Sequence, residues 1–147
     1  MYKHLLVPVD GSELSERAAQ TSIALAAKLG ARITGFVAEP LPPMPNESSG
    51  MTTYVRTSEE HRQRTEAHAR EVLSRFGALA AEQGVPFHGE YKRTDAVDDA
   101  IVEAGKVFEA DLIVMVTHGR GAFGELLFGS HTKNVMARCK LPLLVLH

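Results

Sequence analysis

Tryptophan is absent from this 147-residue chain, and phenylalanine (6) and tyrosine (3) are sparse. Stacking platforms for nucleic-acid bases are therefore not expected. Positive charge is not in excess either. Lys plus Arg (16) do not outnumber Asp plus Glu (18), which argues against electrostatic capture of nucleic acid. The lone cysteine, Cys139, excludes an internal disulfide and suits a reducing cytoplasm. Long apolar runs are missing too. Leu5–Val9 is stopped by Asp10, too short for a signal-peptide core or for the ~18 apolar residues of a membrane helix. A soluble, cytoplasmic protein is the expectation. The length fits one domain over residues 1–147, and such a chain buries ~70% of its unfolded surface without help from disulfide or metal.

What is present is an alternation of short apolar runs with longer stretches of helical period. Leu5–Val9, Ile33–Val37, Leu112–Val116 and Leu143–Leu146 read as strands, and Pro86–Tyr91 as a fifth. The runs at 112–116 and 143–146 show no polar alternation, as expected of parallel strands covered on both faces. Leu14, Ala18, Leu25 and Leu29 form one helix stripe, closed by Gly30. Val97, Ile101, Ala104 and Phe108 form another. Four prolines between Pro40 and Pro45, followed by Asn46–Gly50, predict a mobile loop from Pro40 to Thr57, able to act as a flap. Thr57 with Glu60 predicts a capping box opening a long polar helix, with Val72, Phe76 and Leu79 inward and Gly84 at its end. The order calls for a doubly wound parallel sheet with helices on both faces, an α/β fold whose ligands bind at carboxyl ends of strands. Pro8 conflicts with a central strand, and is expected to mark where ladder pairing stops.

Residues 117–130 hold four of the twelve glycines directly after a predicted strand. Glycine lets backbone N–H groups approach a ligand, and consecutive N–H groups form an anion-binding concavity. Ser130 can cap a helix running to about Cys139, adding a hydroxyl and the helix dipole. Two familiar motifs nearly match and fail. Gly119-x-Gly121-x-x-Gly124 lacks the later carboxylate for a ribose, since no Asp or Glu follows Glu125. Gly124-x-x-x-x-Gly129-Ser130 lacks the phosphate-loop lysine.

The opening Leu5-Leu6-Val7-Pro8-Val9-Asp10-Gly11-Ser12, the His118-Gly119 turn, Gly129-Ser130 and the closing Leu141-Pro142-Leu143-Leu144-Val145 resemble the universal stress protein family over essentially the whole chain. The resemblance implies a five-stranded sheet of order 3-2-1-4-5, adenine nucleotide alpha hydrolase-like, with the loops after strands one and four together at the switch point. It implies an adenine nucleotide as ligand, ATP or else AMP or ADP, in a stress-response regulator. Nucleotide-binding members carry Gly-x-x-Gly, nine residues, then Gly-Ser or Gly-Thr. Gly119 and Gly129-Ser130 fit the later part, while Val116 stands at the first glycine. If that position needs positive φ, valine costs at least ~1–2 kcal/mol. If its φ is negative, valine fits the strand but crowds the ribose or phosphates. A member with a vestigial pocket, acting as a dimeric scaffold, is the alternative.

By position, the resemblance implies that Pro8, Val9 and Asp10 line the adenine and ribose pocket, and that Val37 offers its backbone to the adenine edge. Thr117, His118, Gly119, Arg120, Gly121 and Ala122 would wrap ribose and phosphates. Gly129, Ser130, His131 and Thr132 would hold the phosphates. Asp10 could orient Mg²⁺ riding on the nucleotide; it reads equally as a turn former. Arg120 is either a phosphate cation or a solvated loop residue, and His118 and His131 either phosphate donors or structural. His61 and His68, seven apart and thus ~10 Å along a helix, cannot share a metal. Asp95, Asp98, Asp99 and Glu103 read as a solvated helix face. Cys139, between Arg138 and Lys140, is inert by default. No strong general base, arginine finger or catalytic residue is evident, so any ATP hydrolysis should be slow. The apolar edge at Leu143–Leu146 invites pairing with a second chain, and the resemblance implies a homodimer through that strand.

Overall fold

The computed structural model describes residues 1–45, 50–116 and 130–147. Five strands and four helices follow one another as β1 (His4–Pro8), α1 (Glu13–Leu29), β2 (Arg32–Glu39), α2 (Met51–Glu82), β3 (Phe87–Arg93), α3 (Val97–Val107), β4 (Leu112–Val116), α4 (Ser130–Arg138) and β5 (Leu143–Leu146). The sheet is parallel, with strand order β3-β2-β1-β4-β5. The expected doubly wound architecture is thus present, and β1 lies at its centre.

The unalternated apolar runs are explained by two cores, one on each face. Leu5, Val7 and Val9 of the first run and Leu112 and Val114 of β4 pack with α1 and α2. Leu6 of β1 and Ile113 and Met115 of β4 turn the other way, to α3 and α4. Successive side chains of a strand point to opposite faces, so a strand with two covered faces must be apolar at every position.

Pro8 ends β1 without disrupting the sheet. The Val9 N–H donates to Phe36 O on β2 at 2.9 Å. By alternation the nitrogen of Pro8 faces β4, and on that side the register runs only over Leu5↔Leu112 and Leu6↔Ile113. The missing donor falls where the ladder has already ended, as expected.

Helix ends follow local chemistry. Ser12 caps α1 by accepting from Ser15 N at 3.2 Å, with Glu13 and Glu16 in the first turn. Gly30 closes it in the left-handed conformation at φ 62°. The start of α2 corrects the sequence reading. The helix begins at Met51, not Thr57, and no capping box exists at Thr57. The Thr57 hydroxyl instead donates to Thr53 O (2.9 Å) and Tyr54 O (3.1 Å) within the helix. A threonine can back-bond inside a helix as readily as it caps one, so the motif alone could not locate the end. The first three turns of α2 are also mostly exposed, which removes the apolar period that would have marked them. Residues 40–45 form no regular element, while 46–49 lie outside the described residues. That strap is held by Leu41 N donating to Asp95 Oδ1 (3.0 Å) and by His61 Nε2 bonding Pro40 O (3.1 Å). β3 runs Phe87–Arg93, two residues beyond its expected end.

Candidate functional site at the sheet switch point

The chain leaves β1 toward one face and β4 toward the other, so a crevice opens between their carboxyl ends. Pro8, Val9, Asp10, Val116, His131 and Thr132 all line it. Six of the residues singled out in the sequence therefore meet in one cleft, although more than 100 positions separate Pro8 from Val116 in the chain. The cavity measures about 100 Å³.

Val37 turns its side chain away from this cleft. It is 1% exposed, and its side chain packs in the core under α1 and α2. The β2 residues on the cleft are its neighbours Phe36 and Ala38. Strand alternation carried the signal: position 36 stands in register with Pro8, so the 36 and 38 side chains share the Pro8 face. Ser15, Val97, Ile101 and Met115 complete the walls and were also not singled out for the site. Thr117, His118, Gly119, Arg120, Gly121, Ala122 and Gly129 lie outside the described residues. Ser130 is the first residue of α4.

Val116 carries no backbone strain. Among the described residues, Glu109 (φ 53°) is the only non-glycine with positive φ. Val116 is the last strand residue of β4, paired with Leu146, and of the two cases posed by the sequence this is the one in which valine fits the backbone and occupies space instead. Thr132, 1% exposed, directs its hydroxyl to Val116 O at 3.5 Å.

The loop between β1 and α1 satisfies itself. Ser15 Oγ accepts from Gly11 N (3.1 Å) and Asp10 N (3.3 Å) and donates to Ser12 O (3.1 Å). Asp10 Oδ1 accepts from Ser12 N at 2.9 Å, the turn-forming role that stood as its alternative reading. Those amides are committed, so among the described residues the donors left to an anion in the cleft lie at the α4 end, where the helix dipole is also positive. Gly11 is required here. It sits at φ 82°, and a Cβ would come 2.9 Å from Val72 Cγ2 and 3.0 Å from His68 Cε1.

Both α2 histidines grip backbone. His68 Nε2 donates to Asp10 O at 3.0 Å and lies 3.7 Å from Glu39 Oε1, fixing the loop after β1 from the α2 side. Glu39 is nearly buried, and that burial pushes its carboxyl above the ordinary value, against the pull of His68 and His61. Among the described residues no group of three or more His, Cys, Asp or Glu could hold a metal ion. Among the described residues Asp10 is the one carboxylate lining the cleft, a donor set that fits a cation carried by the ligand's phosphates.

Asp95, Asp99 and Glu103 are exposed, as expected of a solvated face, but Asp98 is not. Asp98 Oδ1 accepts from His131 Nδ1 at 2.5 Å and Oδ2 from Asn134 Nδ2 at 2.7 Å, while Asp99 pairs with Arg138. These bonds seat α4 on α3, across more than thirty positions of sequence. Cys139, half-buried just past α4, accepts weakly from Leu141 N at 3.4 Å.

The chemistry of the cleft is graded. Phe36, Ala38, Ile101 and Met115 offer an apolar wall for a ring, and His131 and Thr132 offer polar groups at the α4 end. A larger cavity, about 360 Å³, lies between α1 and α2 with an Arg75–Glu16 ion pair (2.5 Å) on its wall. Of the positions singled out for the site it contains only Val9, so the crevice between β1 and β4 is the candidate site. No helix among the described residues is long and apolar enough to cross a membrane.

Comparison with known proteins agrees with this geometry. The model of the universal stress protein family matches residues 1–147. A universal stress protein of Thermus aquaticus is 34% identical, covering 99% of this chain and 98% of its own length. One from Methanocaldococcus jannaschii is 30% identical, covering 99% and 82%. Among solved structures, UspA of Lactobacillus plantarum superposes with a TM-score of 0.82 at 21% identity, over 99% of this chain and 98% of that one. A universal stress protein in complex with cAMP gives 0.72 at 24% identity, over 99% and 97%. An Arabidopsis thaliana family protein with AMP bound gives 0.65 at 15%, over 98% and 90%. With a family model that spans it from end to end and a crevice where its fold predicts one, the chain belongs to the universal stress protein family.

Proposed function

We propose that this protein is an adenine-nucleotide-binding regulator of the stress response, with ATP, ADP or AMP seated in the crevice between β1 and β4. The observation that carries this reading is the convergence of Pro8, Val9, Asp10, Val116, His131 and Thr132 on one cleft. The adenine would lie on the apolar wall and the phosphates toward α4. Asp10 would orient a magnesium ion held chiefly by phosphate oxygens. The backbone of Val37 and residues 117–122, 129 and 130 complete the site on this reading. Relatives in complex with cAMP and with AMP support the ligand class. The working state is a cytoplasmic homodimer joined through β5, an apolar strand at the edge of the sheet.

Isothermal titration with Mg-ATP and with AMP tests the proposal. A saturable heat signal at or below millimolar ligand is expected, and a flat trace for both nucleotides refutes it. Protection against thermal unfolding should accompany binding, with ligand at 100 times its dissociation constant adding about 2.7 kcal/mol.

A second reading is favoured by the small volume of the cleft, about 100 Å³, and by valine at the first motif glycine. On that reading the protein is a dimeric scaffold that does not bind nucleotide. Val116→Gly then creates binding that the parent lacks.

A further inference from the structure

Asp98 on α3 holds two donors from α4, one on each oxygen: His131 Nδ1 at 2.5 Å and Asn134 Nδ2 at 2.7 Å. Its side chain is 18% exposed and the imidazole 47%. A carboxylate only accepts, so Nδ1 carries a proton and Nε2 is the nitrogen left for another partner. His131 also lines the switch-point cleft beside Thr132. Such a ring can donate to two anions at once as the imidazolium, through Nδ1 to Asp98 and through Nε2 to a ligand oxygen. Among the described residues, Asp98 bonds the ring and Asp10 lines the same cleft, Asp99 follows Asp98 on α3, and Lys133 and Arg138 share α4 with His131. Arg138 is already paired with Asp99.

We propose that the Asp98–His131 pair makes this cleft a reader of phosphate charge, selecting an adenosine 5′-monophosphate over its cyclic phosphodiester and over the uncharged nucleoside. His131 supplies the cation that the missing phosphate-loop lysine does not, and Asp98 is a positioning residue that acts through His131. The proposal rests on the nucleotide reading above. A phosphomonoester carries about −1.5 to −2 charge at neutral pH, whereas a cyclic diester carries a single one. A hydrogen bond assisted by charge is roughly twice as strong as a neutral one, so the monoester gains most from the imidazolium.

Titration calorimetry with AMP, cAMP and adenosine tests this on the full chain and on four variants: Asp98→Asn, His131→Gln, the two combined, and Asp99→Asn. In Asp98→Asn and in His131→Gln, AMP affinity should fall about tenfold, the loss expected when a charge-assisted bond is removed. Affinity for cAMP, with its single negative charge, should fall less, and affinity for adenosine should stay nearly constant. The double variant should be no weaker than His131→Gln, because the two residues act as one unit. Asp99→Asn takes the negative charge out of the neighbouring ion pair between the same two helices, and should keep the AMP preference. An equal loss for all three ligands in Asp98→Asn overturns the proposal, as does an unchanged AMP-to-cAMP ratio in His131→Gln; both leave nucleotide binding intact. Failure of the unsubstituted protein to bind any of the three instead overturns the nucleotide reading, and this proposal with it.

Discussion

Val116 stands opposite Leu146 on the last rung of the β4–β5 ladder, with a backbone conformation that valine adopts without strain. Its side chain is therefore a filler of the cleft. Replacing it by glycine removes half-buried apolar area and adds backbone freedom, together worth about 1–2 kcal/mol. Val116→Gly should lower the urea midpoint accordingly while tightening AMP binding, both measurable on one preparation. Weaker nucleotide binding in this variant would show that the isopropyl group supports the ligand instead of crowding it.

Gly35 lies on β2 beneath two aromatic rings. Phe76 and Phe87 meet there with centroids 4.8 Å apart, and a Cβ on residue 35 would come 2.8 Å from Phe87 Cζ and 2.9 Å from Phe76 Cδ1. Gly35→Ala should destabilise the protein by about 1–3 kcal/mol through overpacking, despite the better strand propensity of alanine. Equilibrium denaturation reads this directly, and a gain in stability would mean that the ring pair can shift freely.

The outward edge of β5 predicts an assembly variant. Ile113 N donates to Pro142 O at 3.0 Å, and Ile113 stands in register with Leu143. Alternation then turns the polar groups of residue 144 to β4 and the N–H of Val145 to the open edge. Val145→Pro removes that N–H while sparing the inner ladder. If two chains join through β5, light scattering should show a dimer for the parent and a monomer for the variant. A monomeric parent at micromolar concentration refutes the dimer.

The His4 ring gives stability a dependence on pH. It is 6% exposed, bonded through Nε2 to Thr34 Oγ1 at 2.7 Å, and burial together with Arg32 holds its pKa below the usual 6.5. The unfolded chain thus binds a proton that the folded one refuses, so stability rises with pH through this window. On acidification the loss begins near 6.5 and continues until the folded ring itself titrates. At most about 1.4 kcal/mol is lost per pH unit from one such group. Denaturation at pH 7.5 and 5.5 should show the drop, and His4→Gln should flatten it. An identical slope in that variant would assign the effect to other groups. Asp111 acts with the same sign at lower pH. Burial raises its carboxyl, but the Lys3 and His4 N–H groups outweigh this and hold it below 3.8, so its contribution is lost as the pH falls through the folded value. Glu39, pushed up by burial, has the opposite sign, costing stability as pH rises from 4.5 to its folded value.

The amino-acid sequence by itself determined the elements that repeat a local signal. Two-sided apolar runs such as Leu112–Val116 have only one environment that suits them, and Ser12 and Gly30 act within a few residues on the helix they bound. From those elements, and from the family resemblance, came the strand order and the six residues that meet in the cleft. The tertiary structure alone decided which neighbours join them. Phe36 and Ala38 face the cleft while Val37 faces the opposite core, because pairing with β1 sets which face each side chain takes. Asp98 became the seat of α4 instead of a solvated carboxylate because its partners arrive from positions 131 and 134. Thr57 lies inside α2 because a hydroxyl is satisfied by the helix it is in, whatever motif surrounds it. Spacing along a chain reports contacts within a turn or a rung, and a bond that closes only when distant segments dock leaves no period behind.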